Sequence, residues 1–173
     1  MKKTLVLALV AAMTLVGCKT VPTTDKMYAT AYSVGCASGM VAAETKVDDK
    51  SREVIIEVVS IVKEVIPAAG KSFQDAWVPV AKAYTETMVK AGRLDPTQAI
   101  LVVGGVTIAA TGLDYVFKAY PKARTYEELV AAAVNGFSEG FLTTFKPLDT
   151  DVRSAVEYDK AAYSYLKGKF IDK

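Results

Sequence analysis

Along most of the chain, apolar positions return every three or four residues and strict alternation is absent, so the pattern predicts helices and no sheet. A first helix is expected over residues 27–46. In it Ala31, Gly35, Gly39 and Ala43 recur at steps of four and form one nearly smooth line, the kind of surface that lets another helix backbone approach closely. A second helix is expected to open at Asp48 or Asp49 and to end before Pro67. Ile55, Val58, Val59, Val62 and Val65 or Ile66 mark its apolar side, and Glu53, Glu57, Ser60 and Glu64 mark the opposite one. The β-branched residues would also suit a strand; the glutamate spacing and the length decide for helix. In the third, Phe73, Trp77, Val80, Tyr84 and Met88 trace a stripe, Pro79 predicts a kink or break, and Gly92 marks the end.

Asp95-Pro96 then supplies a cap followed by a proline at the first helical position. The helix it opens contains 17 uncharged residues, 97–113, the most ambiguous stretch of the chain. At about 26 Å it falls just short of a hydrocarbon core of about 30 Å. It lacks aromatic belts and sits between helices with polar faces, so a buried core helix is the preferred reading and a membrane-inserted segment the alternative. Tyr120-Pro121 breaks the chain. Thr125 and Glu128, at capping-box spacing, place a fifth helix over residues 126–145, with Ala132, Gly136 and Gly140 repeating the small-residue line of the first. A last helix is expected from Asp149–Asp151 onward, with Val152, Val156, Tyr163 and Leu166 inward. The expected architecture is all-α: a single-domain bundle of about six helices over residues 27–173, behind two N-terminal segments of other character.

Those segments carry the clearest signal in the chain. Lys2 and Lys3 precede an apolar run from Leu5 to Val16 that is too short to span a bilayer, and small residues close it; this is the layout of an export signal. Its end, Leu15-Val16-Gly17-Cys18, resembles the lipobox of bacterial lipoproteins. The resemblance implies cleavage between Gly17 and Cys18, diacylglycerol on the Cys18 sulfur, and attachment to a membrane through that lipid. It covers the first 18 residues and names a processing class, not a family of the mature domain. An ordinary signal peptide with an incidental cysteine, or a retained N-terminal helix, are the competing readings. By the same resemblance Lys19, where an aspartate would favour inner-membrane retention, implies the periplasmic face of an outer membrane; the inner membrane is the alternative. Residues 18–26 then read as the lipidated cysteine and a short tether.

Without Lys2 and Lys3 the 21 basic residues become 19, equal to the 19 acidic ones. A neutral mature chain gives no footprint for a nucleic-acid partner. An apolar content of 51% excludes wholesale disorder. Cys36 is left without a mate once Cys18 carries lipid, and its glycine and alanine neighbours point to a small buried residue rather than a reactive thiol.

The chain has no histidine, which removes imidazole-assisted catalysis and the common zinc and haem ligand sets. Nucleotide-binding glycine loops and a nucleophile elbow are absent too. No cofactor and no metal are expected. Carboxylates could still serve a glycosidase that cleaves the cell wall, and Glu44, Asp75, Asp114 and Glu139, flanked by apolar or small residues, are the candidates. No pair of them has a spacing that commits both to one site. The lines Ala31, Gly35, Gly39, Ala43 and Gly136, Gly140 serve either packing inside the bundle or docking of a partner. The C-terminal YSYLKGKFIDK mixes tyrosines with lysines and suits headgroups, wall polymer, a partner, or simply the helix dipole. The reading that results is a non-enzymatic, membrane-anchored envelope lipoprotein whose helical domain binds another envelope protein or itself.

Overall fold

The computed structural model describes residues 23–68, 70–121, 127–145 and 157–172. Among them are six helices and no strand: α1 (Thr23–Ala43), α2 (Asp49–Val62), α3 (Phe73–Lys90), α4 (Pro96–Ala119), α5 (Glu127–Phe145) and α6 (Lys160–Phe170). The protein is an all-α helical bundle.

Local chemistry sets the helix starts. The Asp48 carboxylate accepts the Ser51 N–H at 2.9 Å, Ser72 and Asp75 form a capping box at the head of α3, and Asp95 does the same with Gln98 before Pro96. Each uses backbone N–H groups that a helix cannot satisfy internally. Asp48 is held below the usual carboxylate range, first by the Ser51 backbone N–H, and Asp75 likewise by Ser72. Both therefore stabilise the fold above the ordinary aspartate range, and that support is lost as pH falls through their depressed values. Gly92, at φ +68°, turns the chain out of α3 as a residue with a side chain rarely does.

α4 is the axis of the bundle and meets all five other helices. Its 24 residues bury Val102, Val106, Ile108, Leu113, Val116 and Phe117, so a neutral helix is accounted for by neighbours on several sides. Phe117 stacks on Phe73 at 5.1 Å between centroids, and Phe73 meets Trp77 edge-on at 5.5 Å. Trp77 is fully buried and its Nε1–H donates to the Val65 carbonyl at 2.8 Å, which ties α3 to the segment after α2.

Several elements differ from expectation. α1 begins at Thr23 rather than at 27 and ends at Ala43, so helix takes up half of the segment read as a tether; periodicity reports burial, and a helix can open before its buried face does. α3 runs through Pro79 without a break. Pro79 is exposed, so the carbonyl that loses its donor can turn to water. The buried stripe of α3 is Phe73, Trp77, Ala81, Thr85 and Met88; Val80 and Tyr84 sit at its margin, because a small Ala81 permits closer packing than the larger neighbours would. Tyr163 and Leu166 lie on a short helix that starts after its cap Asp159, preceded by non-helical residues 157–159. The expected start at 149–151, the inward positions Val152 and Val156, and the Thr125 cap all lie outside the described residues.

Candidate functional site

The two small-residue lines meet each other. α1 and α5 make the most extensive helix contact in the bundle and run in the same direction. A Cβ on Gly35 would stand 2.1 Å from the Ala133 carbonyl oxygen, and one on Gly39 2.1 Å from that of Phe137. From the other side, Gly136 would strike the Tyr32 carbonyl and Gly140 that of Cys36, again at 2.1 Å. The glycines interlock backbone to backbone, with Ala31 and Ala43 buried on the same line. This face is consumed inside the bundle and is not free for a partner.

The candidate acids are separated and each is engaged. Glu44 accepts the Tyr163 hydroxyl at 2.5 Å and pairs with Lys167 at 3.5 Å, fastening the end of α1 to α6. Glu139 accepts the Tyr32 hydroxyl across the α1–α5 contact. Asp75 is spent on the α3 capping box. With Tyr28 to Glu128 at 2.8 Å and Tyr84 to Glu57 at 2.6 Å, four tyrosine hydroxyls bridge helices onto glutamates. Charge-assisted bonds of this kind draw long side chains across an otherwise apolar seam. The bonds favour the protonated phenols: Tyr32 is raised well above the ordinary tyrosine value, first by its bond to Glu139 and then by burial, and Tyr163 is raised first by burial and next by its bond to Glu44. Among the described residues no group of three or more acids or cysteines is placed to hold a metal.

Cys36 is fully buried and its thiol is pushed up to about 11, first by desolvation and next by the Glu139 charge. A thiolate is the reactive form, so Cys36 is inert near neutral pH. Disulfide-exchange reagents at pH 8 are expected to leave Cys36 untouched in the folded protein and to titrate it fully in denaturant. Rapid modification without denaturant would contradict the burial.

Asp114 has a different setting. It ends the apolar part of α4, and its carboxylate accepts the Phe73 N–H at 2.7 Å and the Gln74 N–H and side-chain amide at 3.4 Å. It therefore caps α3 from another helix, where the dipole favours a negative charge. Beside it opens a cleft of about 510 Å³ between α3, α4 and α6, lined by Gln74, Thr111, Asp114, Tyr115, Lys118, Tyr165 and Lys169. Tyr115 and Tyr165 pair at 5.6 Å, and the Lys169 ammonium lies 6.0 Å from the Tyr165 ring. Tyr165 is 49% exposed.

Comparison with protein families, characterised proteins and solved structures finds no match. The cleft is thus read from its own chemistry. Its size lies in the range of small-molecule sites, and it mixes aromatic surface with a few convergent polar groups. Sequence reasoning singled out Asp114, and Tyr165 and Lys169 within the C-terminal stretch, but not Gln74, Thr111, Tyr115 or Lys118. The available signal was polar residues at 111, 114, 115 and 118, one helical face, breaking an apolar run.

Proposed function

We propose that the protein is an envelope lipoprotein, anchored by lipid on Cys18 at the periplasmic face of the outer membrane, whose helical bundle acts as a non-enzymatic binding or accessory domain. One observation carries this reading: Lys2-Lys3, the apolar run and Leu15-Val16-Gly17-Cys18 fall in the register of a lipoprotein signal. The described fold begins at Thr23, five residues after Cys18. Even a fully extended connection of that length reaches at most about 18 Å, so the bundle would sit near the bilayer surface.

Against a membrane-inserted bundle stands the burial of α4. It is the one described helix long and apolar enough to cross a membrane, yet 61% of its most apolar window is already covered by its neighbours. Against a wall hydrolase stands the engagement of Glu44, Asp75, Asp114 and Glu139 in capping or helix-to-helix contacts. Single substitutions of these four should leave muropeptide release unchanged; its loss in any folded variant would favour the hydrolase. A dedicated envelope protein, or a second copy of the chain, is the partner this reading calls for, and crosslinking in cells would capture it.

Cys18→Ala is the direct test. The substituted chain should take up no radiolabelled palmitate, resist signal cleavage and leave the outer-membrane fraction, while globomycin should make the parent chain accumulate as a larger precursor. A parent chain that never incorporates palmitate, or whose size globomycin does not change, removes the proposal.

A further inference from the structure

The cleft between α3, α4 and α6 is chemically polarised along α4. At one end, Thr111 is 2% exposed and its hydroxyl is used on the Thr107 carbonyl at 2.8 Å, so it floors the cleft without offering a bond. Asp114 is an acceptor by charge, and Gln74 directs its amide nitrogen at Asp114, leaving its carbonyl oxygen. This end asks a ligand for hydrogen-bond donors. One turn beyond Asp114, about 6 Å along the helix axis, Lys118 brings an ammonium group, and Lys169 of α6 brings a second, set against the Tyr165 and Phe170 rings; neither forms an ion pair with the described residues. That end asks for an anion. The Asp114 charge keeps an anion away from the first end and so orients the ligand. Between the ends, the tilted Tyr115–Tyr165 pair offers partly exposed aromatic surface.

We propose that this cleft binds an anionic saccharide. A hydroxylated ring rests beside Tyr165, its hydroxyl or acetamido donors reach Asp114 and Gln74, and its carboxylate or phosphate lies between Lys118 and Lys169. The backbone N–H groups at the head of α3 are taken by Asp114, so the anion is held by the lysines as point charges rather than cradled by main chain. A span of about 6 Å between Asp114 and Lys118 along the helix matches one sugar ring that carries its own carboxylate or phosphate. The envelope supplies two such chemistries, the muramic acid carboxylate of the wall and the phosphoglucosamine of lipopolysaccharide. The choice of these two sources rests on the envelope location proposed above, whereas the binding chemistry rests on the cleft and does not require lipid on Cys18.

The test is titration of the isotope-labelled protein, kept in detergent so that its N-terminus stays intact, followed by amide chemical shifts. The probes are an N-acetylglucosamine–N-acetylmuramic acid disaccharide, glucosamine phosphate, neutral chitobiose and inorganic phosphate. Saturable shifts at Gln74, Thr111, Lys118 and Lys169 with either anionic sugar are expected, and the tighter one assigns the source. Lys118→Gln combined with Lys169→Gln should weaken that binding at least about tenfold, and Tyr165→Ala should weaken it too. Lys118 and Tyr165 are exposed, and unchanged shifts outside the cleft will verify that the variants fold; should Tyr165→Ala disturb α6, the lysine pair alone decides. No saturable shift with either anionic sugar overturns the proposal. So does equal binding of chitobiose, equal binding of inorganic phosphate, or indifference to the lysine substitutions.

Discussion

Gly39→Ala will destabilise the fold by about 3 kcal/mol, whereas Gly104→Ala will stabilise it by up to about 1 kcal/mol. Intrinsic propensity favours alanine over glycine by about 1 kcal/mol inside any helix, so the sign depends on what the new methyl group meets. At Gly39 it meets the Phe137 carbonyl oxygen at 2.1 Å and the Phe141 nitrogen at 2.6 Å, both main chain. Neither can rotate away as a side chain tip would, so α1 and α5 must separate, loosening the largest helix contact of the bundle. Gly104 has nothing within 4 Å of the same position. Gly39→Leu, with three further carbons at the same point, is expected not to fold. Urea unfolding followed by circular dichroism reads all three. A Gly39→Ala midpoint equal to that of the parent chain would mean that α1 and α5 do not lie in backbone contact.

The second large effect is expected at Trp77. Trp77→Ala should lose about 3–5 kcal/mol, a substantial part of the stability of an ordinary domain. The indole is fully buried, packs edge-on against Phe73 and donates to the Val65 carbonyl. Removing it opens a cavity where α3 meets α4 and leaves that carbonyl without its donor. Trp77→Phe keeps most of the volume and loses the bond, so it should fall between the parent and the alanine variant. The ordering parent, Trp77→Phe, Trp77→Ala in unfolding midpoint is the checkable result. Equal losses for phenylalanine and alanine would show that the hydrogen bond, and not the buried volume, dominates at this position.

Both effects turn on contacts between elements distant in the chain. Gly39 and Gly140 are recognisable as members of four-residue lines, and a helix with such a line must place it against something thin. That the something is the other line, in parallel register and glycine against carbonyl, follows only from the tertiary arrangement. The same holds for Cys36: its neighbours predicted burial, but the nearby Glu139 charge that helps raise its thiol comes from α5. Pro79 shows the converse failure. A proline in a helical pattern marks a missing donor, and sequence does not say whether the orphaned carbonyl faces solvent, where α3 tolerates it.

The candidate site divides in the same way. Asp114 stood out because a carboxylate closes an apolar run, yet its engagement with Phe73 and Gln74, about forty residues earlier, is a tertiary cap with no local signature. Lys118 and Lys169, 51 residues apart in the chain, line one cleft because α4 and α6 pack together.

Legible in the sequence were the all-helical class, the caps at Asp48 and Asp95, the burial of α4's apolar run and the lipobox-like pattern that ends at Cys18. These are local properties, written in periodicity and in hydrogen bonds that span three or four residues. Only the tertiary structure decided which small-residue faces meet, which carboxylate supports which helix, and where polar groups from α3, α4 and α6 converge. A helical period tells which face is buried, and it carries no information about what that face is buried against.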